Sequence, residues 1–463
     1  MRVVILKVLY PLLAFTTFIN PFYGIIYYTF ISVVRPEQLT YGNHNISGVF
    51  ALAISTLFLS CFIKREKLIV SVTEGYFVYF ILFVVGLTLS TLLSPYTDFS
   101  ERKGSIYYLQ QFPQILLFCI CLHAVLLRLV DTQIQNYIVI LVAFFLFMGV
   151  WAIDQYFRGN ELIEQLFGTS ITDRCAITGV FILYFPLAVY FTKKKTNLLK
   201  LFGFMGIVVF FTDVVLTQSR AGFLGFVGML LAMFYFSNSK KKFLVYSFLA
   251  LSIGLLFVPD TYFDRIHAIK SQNIHDNEIT DKSSASRLLM WEVGWEMFKD
   301  HPITGVGNLN FSNANKKYAA SLGGSVDSTL LSYTFGNEGQ RGLTHTHNTY
   351  LNILVEGGLI SSVPFFMVMI LPLWRGFRLT AICKDSPNNH VLDQLELMNL
   401  INCGVIGFMI AAFFSNMILV DYFYWNLTIS YFLSRNIEAG YRENKFDKDT
   451  LPEKIFMQEG SRG

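Results

Sequence analysis

Charge is scarce in this chain: Asp, Glu, Lys and Arg make up 15% of 463 residues, where a soluble protein carries about a quarter. That shortage excludes an ordinary water-facing surface over most of the exterior. Hydrophobic residues reach 53% and aromatic ones 16%, so lipid is the expected solvent. The net charge of +4 is small, and the basic residues sit in short clusters that read as topology signals, so nucleic-acid binding is not supported. Cysteine is sparse as well. Cys61, Cys119, Cys121, Cys175, Cys383 and Cys403 lie mostly inside apolar runs. They form no metal-ligand spacing with His, and none falls in the long polar stretch after residue 260 where a disulfide would be useful. They read as small apolar side chains. Also missing are a phosphate loop, a nucleotide-binding glycine fingerprint and a nucleophile elbow.

What is present is a succession of apolar runs. A bilayer core needs about 20 such residues of helix. Candidate spans are 4–33, 46–63, 75–93, 113–130, 136–153, 174–192, 198–217, 221–236, 241–259, 351–373, 399–420 and 421–434. The expected fold is all-α, a polytopic membrane helix bundle of about 12 transmembrane helices. The first run contains Asn20-Pro21, which kinks it or splits it into a short hairpin. It lacks a small-residue cleavage site and reads as a membrane helix rather than a cleaved signal peptide. Lys64-Arg65-Glu66-Lys67, Lys193-Lys194-Lys195, Lys240-Lys241-Lys242, Arg375 with Arg378 and Lys384, and the tail with Arg435, Arg442, Lys445 and Lys448 fall on alternate connections. Lys and Arg favour the cytoplasmic side, so these connections and both termini are expected inside, with the first run counted as one crossing. The segments 35–45, 94–112, 154–173, 218–220 and 260–350 are then outside. The chain divides into a bundle over 1–259, a large outside loop over 260–350, further transmembrane helices over 351–434, and a flexible cytoplasmic tail over 435–463.

The outside loop is long enough to shape a site. Ser283-Ser284 can cap a helix that runs to about Lys299, ended by His301-Pro302. Leu288, Trp291, Trp295 and Phe298 recur at helical spacing as an apolar stripe for the membrane surface or the bundle. Arg287 is expected in the first turn of that helix, where free N–H groups and the helix dipole favour an anion. A surface Arg snorkelling beside Trp291 is the alternative. Arg220 lies in a very short outside turn, and Asp213, seven residues earlier, is a buried ion-pair partner for it or a substrate-binding carboxylate. His345 and His347 are two apart and cannot share a helical face. His347, at the mouth of the next span, can act as a general base, and Glu356 below it either orients it or is a buried polar group. The alternative for either His is a capping or solvent-facing role.

Three pieces in order resemble the O-antigen ligase and polymerase superfamily of bacterial envelope glycan enzymes. They are Ser219-Arg220-Ala221-Gly222; Arg287-Leu288-Leu289-Met290-Trp291 with Asp300-His301-Pro302-Ile303-Thr304-Gly305-Val306-Gly307; and His345-Thr346-His347-Asn348-Thr349-Tyr350-Leu351 with Glu356-Gly357-Gly358-Leu359-Ile360. The match covers about residues 215–360. Arg35-Pro36-Glu37-Gln38-Leu39-Thr40 looks like a subgroup found with exopolysaccharide and exosortase systems. The resemblance implies an inverting, metal-independent glycosyltransferase without cofactor. Its donor is a glycan on undecaprenyl pyrophosphate, presented at the periplasmic face of the inner membrane. Arg220 and Arg287 would bind the pyrophosphate and His347 would take or orient the acceptor proton, with Asp213, His345, Asn348 and Glu356 in support. The acceptor is lipid A–core for a ligase, a second lipid-linked glycan for a polymerase, or a protein for an O-oligosaccharyltransferase. A flippase or exporter of the same lipid-linked glycan, or a non-catalytic scaffold, are the rivals from other classes.

Overall fold

A computed structural model of the chain describes residues 2–36, 48–97, 109–159, 173–237, 239–241, 244, 282–321, 326, 328–336, 345–384, 386 and 388–459. Among them the regular structure is helical. The helices are α1 Arg2–Ile19, α2 Pro21–Val33, α3 Val49–Ile63, α4 Leu68–Thr73, α5 Gly75–Leu93, α6 Gln111–Leu126, α7 Asp131–Phe157, α8 Arg174–Thr192, α9 Asn197–Leu216, α10 Arg220–Phe236, α11 Lys282–Asp300, α12 Phe311–Ser321, α13 Ser328–Phe335, α14 Thr349–Cys383, α15 Asn389–Ala411 and α16 Asp421–Glu459. Six of the described helical runs are long and apolar enough to cross a membrane: α5, α7, α8, α9, α14 and Asn389–Phe414. Five shorter apolar helices accompany them. The chain is thus an all-helical, multi-pass membrane-type bundle. The described residues do not by themselves give the expected count of about 12, and the span expected over 241–259 and the loop start over 260–281 lie outside them.

Asn20 breaks the first apolar run. Its backbone is extended (φ −150°, ψ 127°) and its side chain accepts the N–H of Phe22, while Pro21 opens α2. α1 folds back along α2, so that Leu13, Thr16 and Ile19 face Tyr23, Tyr27 and Phe30 across one groove. The first run is therefore two helices and not one straight crossing. At the other extreme, α16 continues to Glu459, where a flexible tail was expected.

The connections sort into two ends of the bundle. At one end, Glu66 pairs with Arg128 at 3.1 Å, Lys194 with Asp393 at 2.6 Å, and Arg375 with Glu438 at 2.6 Å, while Lys193 pairs with Glu396 and Arg435 with Glu74. Such pairs contribute little stability when exposed, but they show that several of the basic clusters share one end. At the opposite end lie the starts of α8, α10 and α14. α8 runs through the middle and is buried along nearly its whole length, as a helix apolar on every side must be. α15 packs closely against it: a Cβ on Gly404 would stand 2.6 Å from the Leu183 carbonyl oxygen, the small-residue contact by which membrane helices approach.

α14 is broken within its first three turns. Gly358 has φ +57° and ψ −169°, a region open essentially to glycine alone. The backbone groups freed there are met by the turn after α11. Val306 N donates to Val355 O and Gly307 N to Glu356 O, each at 2.9 Å, while Leu359 N donates to Pro302 O at 2.9 Å and Ile360 N to Ile303 O at 3.1 Å. Two of the quoted motif segments thus bind each other, and buried backbone must be satisfied in this way inside lipid. A Cβ on Gly358 would meet Ile303 O at 2.3 Å. Gly358→Ala is expected to cost about 2–5 kcal/mol, seen as a lower melting temperature of the purified protein in detergent. An unchanged melting temperature would contradict this tether.

Candidate functional site

α11 carries the loop's own small core. Ala285, Leu289, Met290, Val293 and Met297 pack with Val306, Phe311, Ala314, Leu330 and Val355. Of the expected stripe, Leu288 and Trp295 are exposed, at 38% and 49%, while Phe298 packs against this core. The stripe is helical as expected and divides between the outer surface and the packed side. Trp291, at its edge, does turn inward. Its indole Nε1 donates to Thr346 O at 2.8 Å and its ring meets Phe413 edge-on. α11 starts at Lys282, so Ser283 and Ser284 stand within its first turn rather than before it, and Arg287 falls in the second turn. The start of the described helix is thus a turn away from Arg287.

Arg287 stands instead over the start of α14. It is half-buried and, among the described residues, has no hydrogen-bond or ion-pair partner. Its positive charge acts on both His345 and His347 and on Cys175 in the first turn of α8. The Ser219 side chain also reaches Cys175. Ser219 caps α10 by accepting Gly222 N at 3.0 Å, and Arg220 is the first residue of that helix. The starts of α8, α10 and α14 and the second turn of α11 thus converge.

His347 is held by its backbone. Its φ is +49°, uncommon outside glycine although His tolerates it better than most residues. The resulting bend lets His345 Nδ1 accept the His347 N–H at 3.1 Å and brings the two rings to 4.2 Å. Side chains two apart meet here because the segment is not helical. His347 Nδ1 is buried without a hydrogen-bond partner. Burial, then His345, then Arg287 push the His347 pKa down to about 3. His345 is also lowered, by burial first, with Asp173 opposing and Arg287 adding to the effect. Both rings are therefore neutral near pH 7.

The neighbouring residues fix this bend. Asn348 Oδ1 accepts Tyr350 N at 3.0 Å and Leu351 N at 3.1 Å, capping α14. Asn348→Ala is expected to cost about 1 kcal/mol, read as a small melting decrease that Asn348→Asp restores; no decrease would refute the cap. Thr346 Oγ1 donates to Asn348 O at 2.9 Å and Thr349 Oγ1 donates to Ser415 O at 2.7 Å.

Asp213 does not pair as expected, and of the two readings of Glu356 the buried polar group holds. Asp213 forms no ion pair with Arg220. α9 ends at Leu216 and the chain turns at Gln218, with φ +50°, so a spacing of seven does not place the two on one helical face. The Asp213 carboxylate is buried against Gly149 of α7, and its Oδ2 has no hydrogen-bond partner. Glu356 does not reach His347. Its Oε2 accepts Asn352 Nδ2 at 2.9 Å, and its backbone carbonyl belongs to the Gly307 tether. Sequence reasoning missed Asp173, Trp291 as an indole donor, Thr349 and Ser415. Asp173 alone left a readable sign, as a cap-forming residue directly before a span. No curated protein matches the chain. Residues 205–366, which include Arg220, Arg287 and His347, match the family model of the O-antigen ligases.

Proposed function

We propose that the chain is an O-antigen ligase-type glycosyltransferase of the bacterial inner membrane. It moves a glycan from undecaprenyl pyrophosphate to an acceptor hydroxyl on lipid A–core at the periplasmic face. The observation that carries the reading is Arg287: a half-buried guanidinium with no counter-ion among the described residues, acting on a pair of neutral histidines. A forked cation beside a neutral base suits a pyrophosphate that gains charge as it leaves. Arg220, at the start of α10, is assigned the second phosphate contact. The acceptor oxygen attacks the anomeric carbon as the bond to pyrophosphate breaks. The electron pair leaves with undecaprenyl pyrophosphate and the hydroxyl proton passes to His347. One displacement inverts the anomeric centre, and no metal ion is assigned a step. The clustering of basic connections at the far end supports a periplasmic site.

The test is purified full-length protein with a defined lipid-linked donor and lipid A–core, with and without chelator. One glycan joined to the core supports the reading. A ladder on undecaprenyl pyrophosphate would make the protein a polymerase, no product would return it to the exporter or scaffold class, and loss with chelator would overturn the metal-free step.

A further inference from the structure

Asp173 ties two parts of the site's frame together. Its Oδ1 accepts Cys175 N at 3.2 Å and so caps α8. Its Oδ2 accepts the Ser415 hydroxyl. Ser415 O in turn accepts Thr349 Oγ1 at 2.7 Å, and Thr349 Oγ1 accepts Met417 N at 2.9 Å. A continuous hydrogen-bonded path therefore joins the start of α8, the link between α15 and α16, and the start of α14 two residues past His347. The same carboxylate faces His345. His345 Nδ1 is occupied as an acceptor from the His347 N–H, so its ring proton sits on Nε2. The charged and titratable groups that act on His345 are Asp173 from α8 and Arg287 from α11, with His347 in ring contact.

We propose that Asp173 is a positioning residue for the His345–His347 pair, its carboxylate fixing the bend that carries both rings and setting a negative charge opposite Arg287. The proposal rests on the function argued above. It separates two duties, a mechanical one through Ser415 and an electrostatic one through charge. Asp173→Asn keeps an α8 cap, since Asn is a good capping residue, and keeps an acceptor for Ser415, but removes the charge. Ser415→Ala keeps the charge and removes the link.

The experiment measures binding of inorganic pyrophosphate to the purified full chain at pH 7.5, beside glycan transfer in membranes and melting temperature. Removing the negative charge that opposes Arg287 at His345 is expected to tighten pyrophosphate about three- to tenfold. It is also expected to slow transfer about tenfold, because the base loses its setting. Melting is expected to stay near wild type in Asp173→Asn and to fall in Ser415→Ala, with pyrophosphate affinity unchanged in the latter. Wild-type affinity and transfer in Asp173→Asn would overturn the proposal. So would slower transfer that merely tracks lost melting and weaker binding, the pattern of a structural residue. Arg287→Ala serves as the control. If it still binds pyrophosphate like wild type, the functional reading itself fails and this inference with it. If it loses binding while Asp173→Asn is unchanged, only the role of Asp173 falls.

Discussion

Replacing Arg287 with Ala is expected to reduce glycan transfer about 100- to 1000-fold, the loss typical when one preorganised donor to a developing anion is removed. The protein level in membranes should stay normal. Arg287 has no hydrogen-bond or ion-pair partner among the described residues, so truncating it leaves no described group unpaired, and changes of this kind stay within about 0.5 kcal/mol. Arg287→Lys keeps the charge but not the planar fork, and a loss of about tenfold is expected from a point charge at a bidentate site. The substitution to Ala has a second consequence with its own readout. Arg287 is one of the causes that lower His347, so its removal should raise that pKa. Full transfer by Arg287→Ala at normal protein level would remove this residue from the site.

Loss of the His347 ring is expected to slow transfer about 100- to 10 000-fold, the range supplied by a positioned general base. Glycine is the informative replacement. The backbone at 347 has φ +49°, which Gly adopts freely, whereas Ala would add strain and blur the result. His347→Gly should therefore melt near wild type while losing transfer. The pH dependence follows from the depressed pKa. The fold favours the neutral ring, so any stability from this preference is present above the usual His pKa of about 6.5 and is lost as pH falls towards 3. In kcat/KM, which reports the free enzyme, His347 should give no loss between pH 8 and 5. Once pyrophosphate neutralises Arg287, the ring becomes more basic, and the acid limb of kcat should lie at higher pH than that of kcat/KM. A wild-type kcat/KM titrating near 6.5, with that limb absent in His347→Gly, would contradict the buried, neutral ring.

The sequence allowed the helices to be located because their apolar runs must be long and uninterrupted. The expected 75–93 and 174–192 coincide with α5 and α8. It also brought Arg220, Arg287 and His347 forward as one group, although by resemblance rather than by spacing. What remained hidden depends on where the chain reverses. The spacing of Asp213 and Arg220 suggests one helical face only if α9 continues past Leu216. The stripe from Leu288 to Phe298 is the more apolar face of α11 by size, yet the tight contact is made by Ala285, Leu289, Val293 and Met297. The pairing of His301-Pro302…Gly307 with Glu356…Ile360 is a backbone event, carried by N–H and C=O groups that leave no mark on side-chain identity beyond the glycines. Asp173 and Ser415 are 242 positions apart, and nothing local announces such a contact.

The short limbs α2 and α3 also bear on the lipid itself. With 13 and 15 residues they are about 20 and 22 Å long, against a hydrocarbon layer of about 30 Å. On the flank where α2 and α3 meet lipid, the bilayer is expected to thin towards them. The membrane around this protein is then uneven in thickness, and acyl chain length becomes a variable of its environment: shorter-chained lipids fit that flank with less deformation than longer ones.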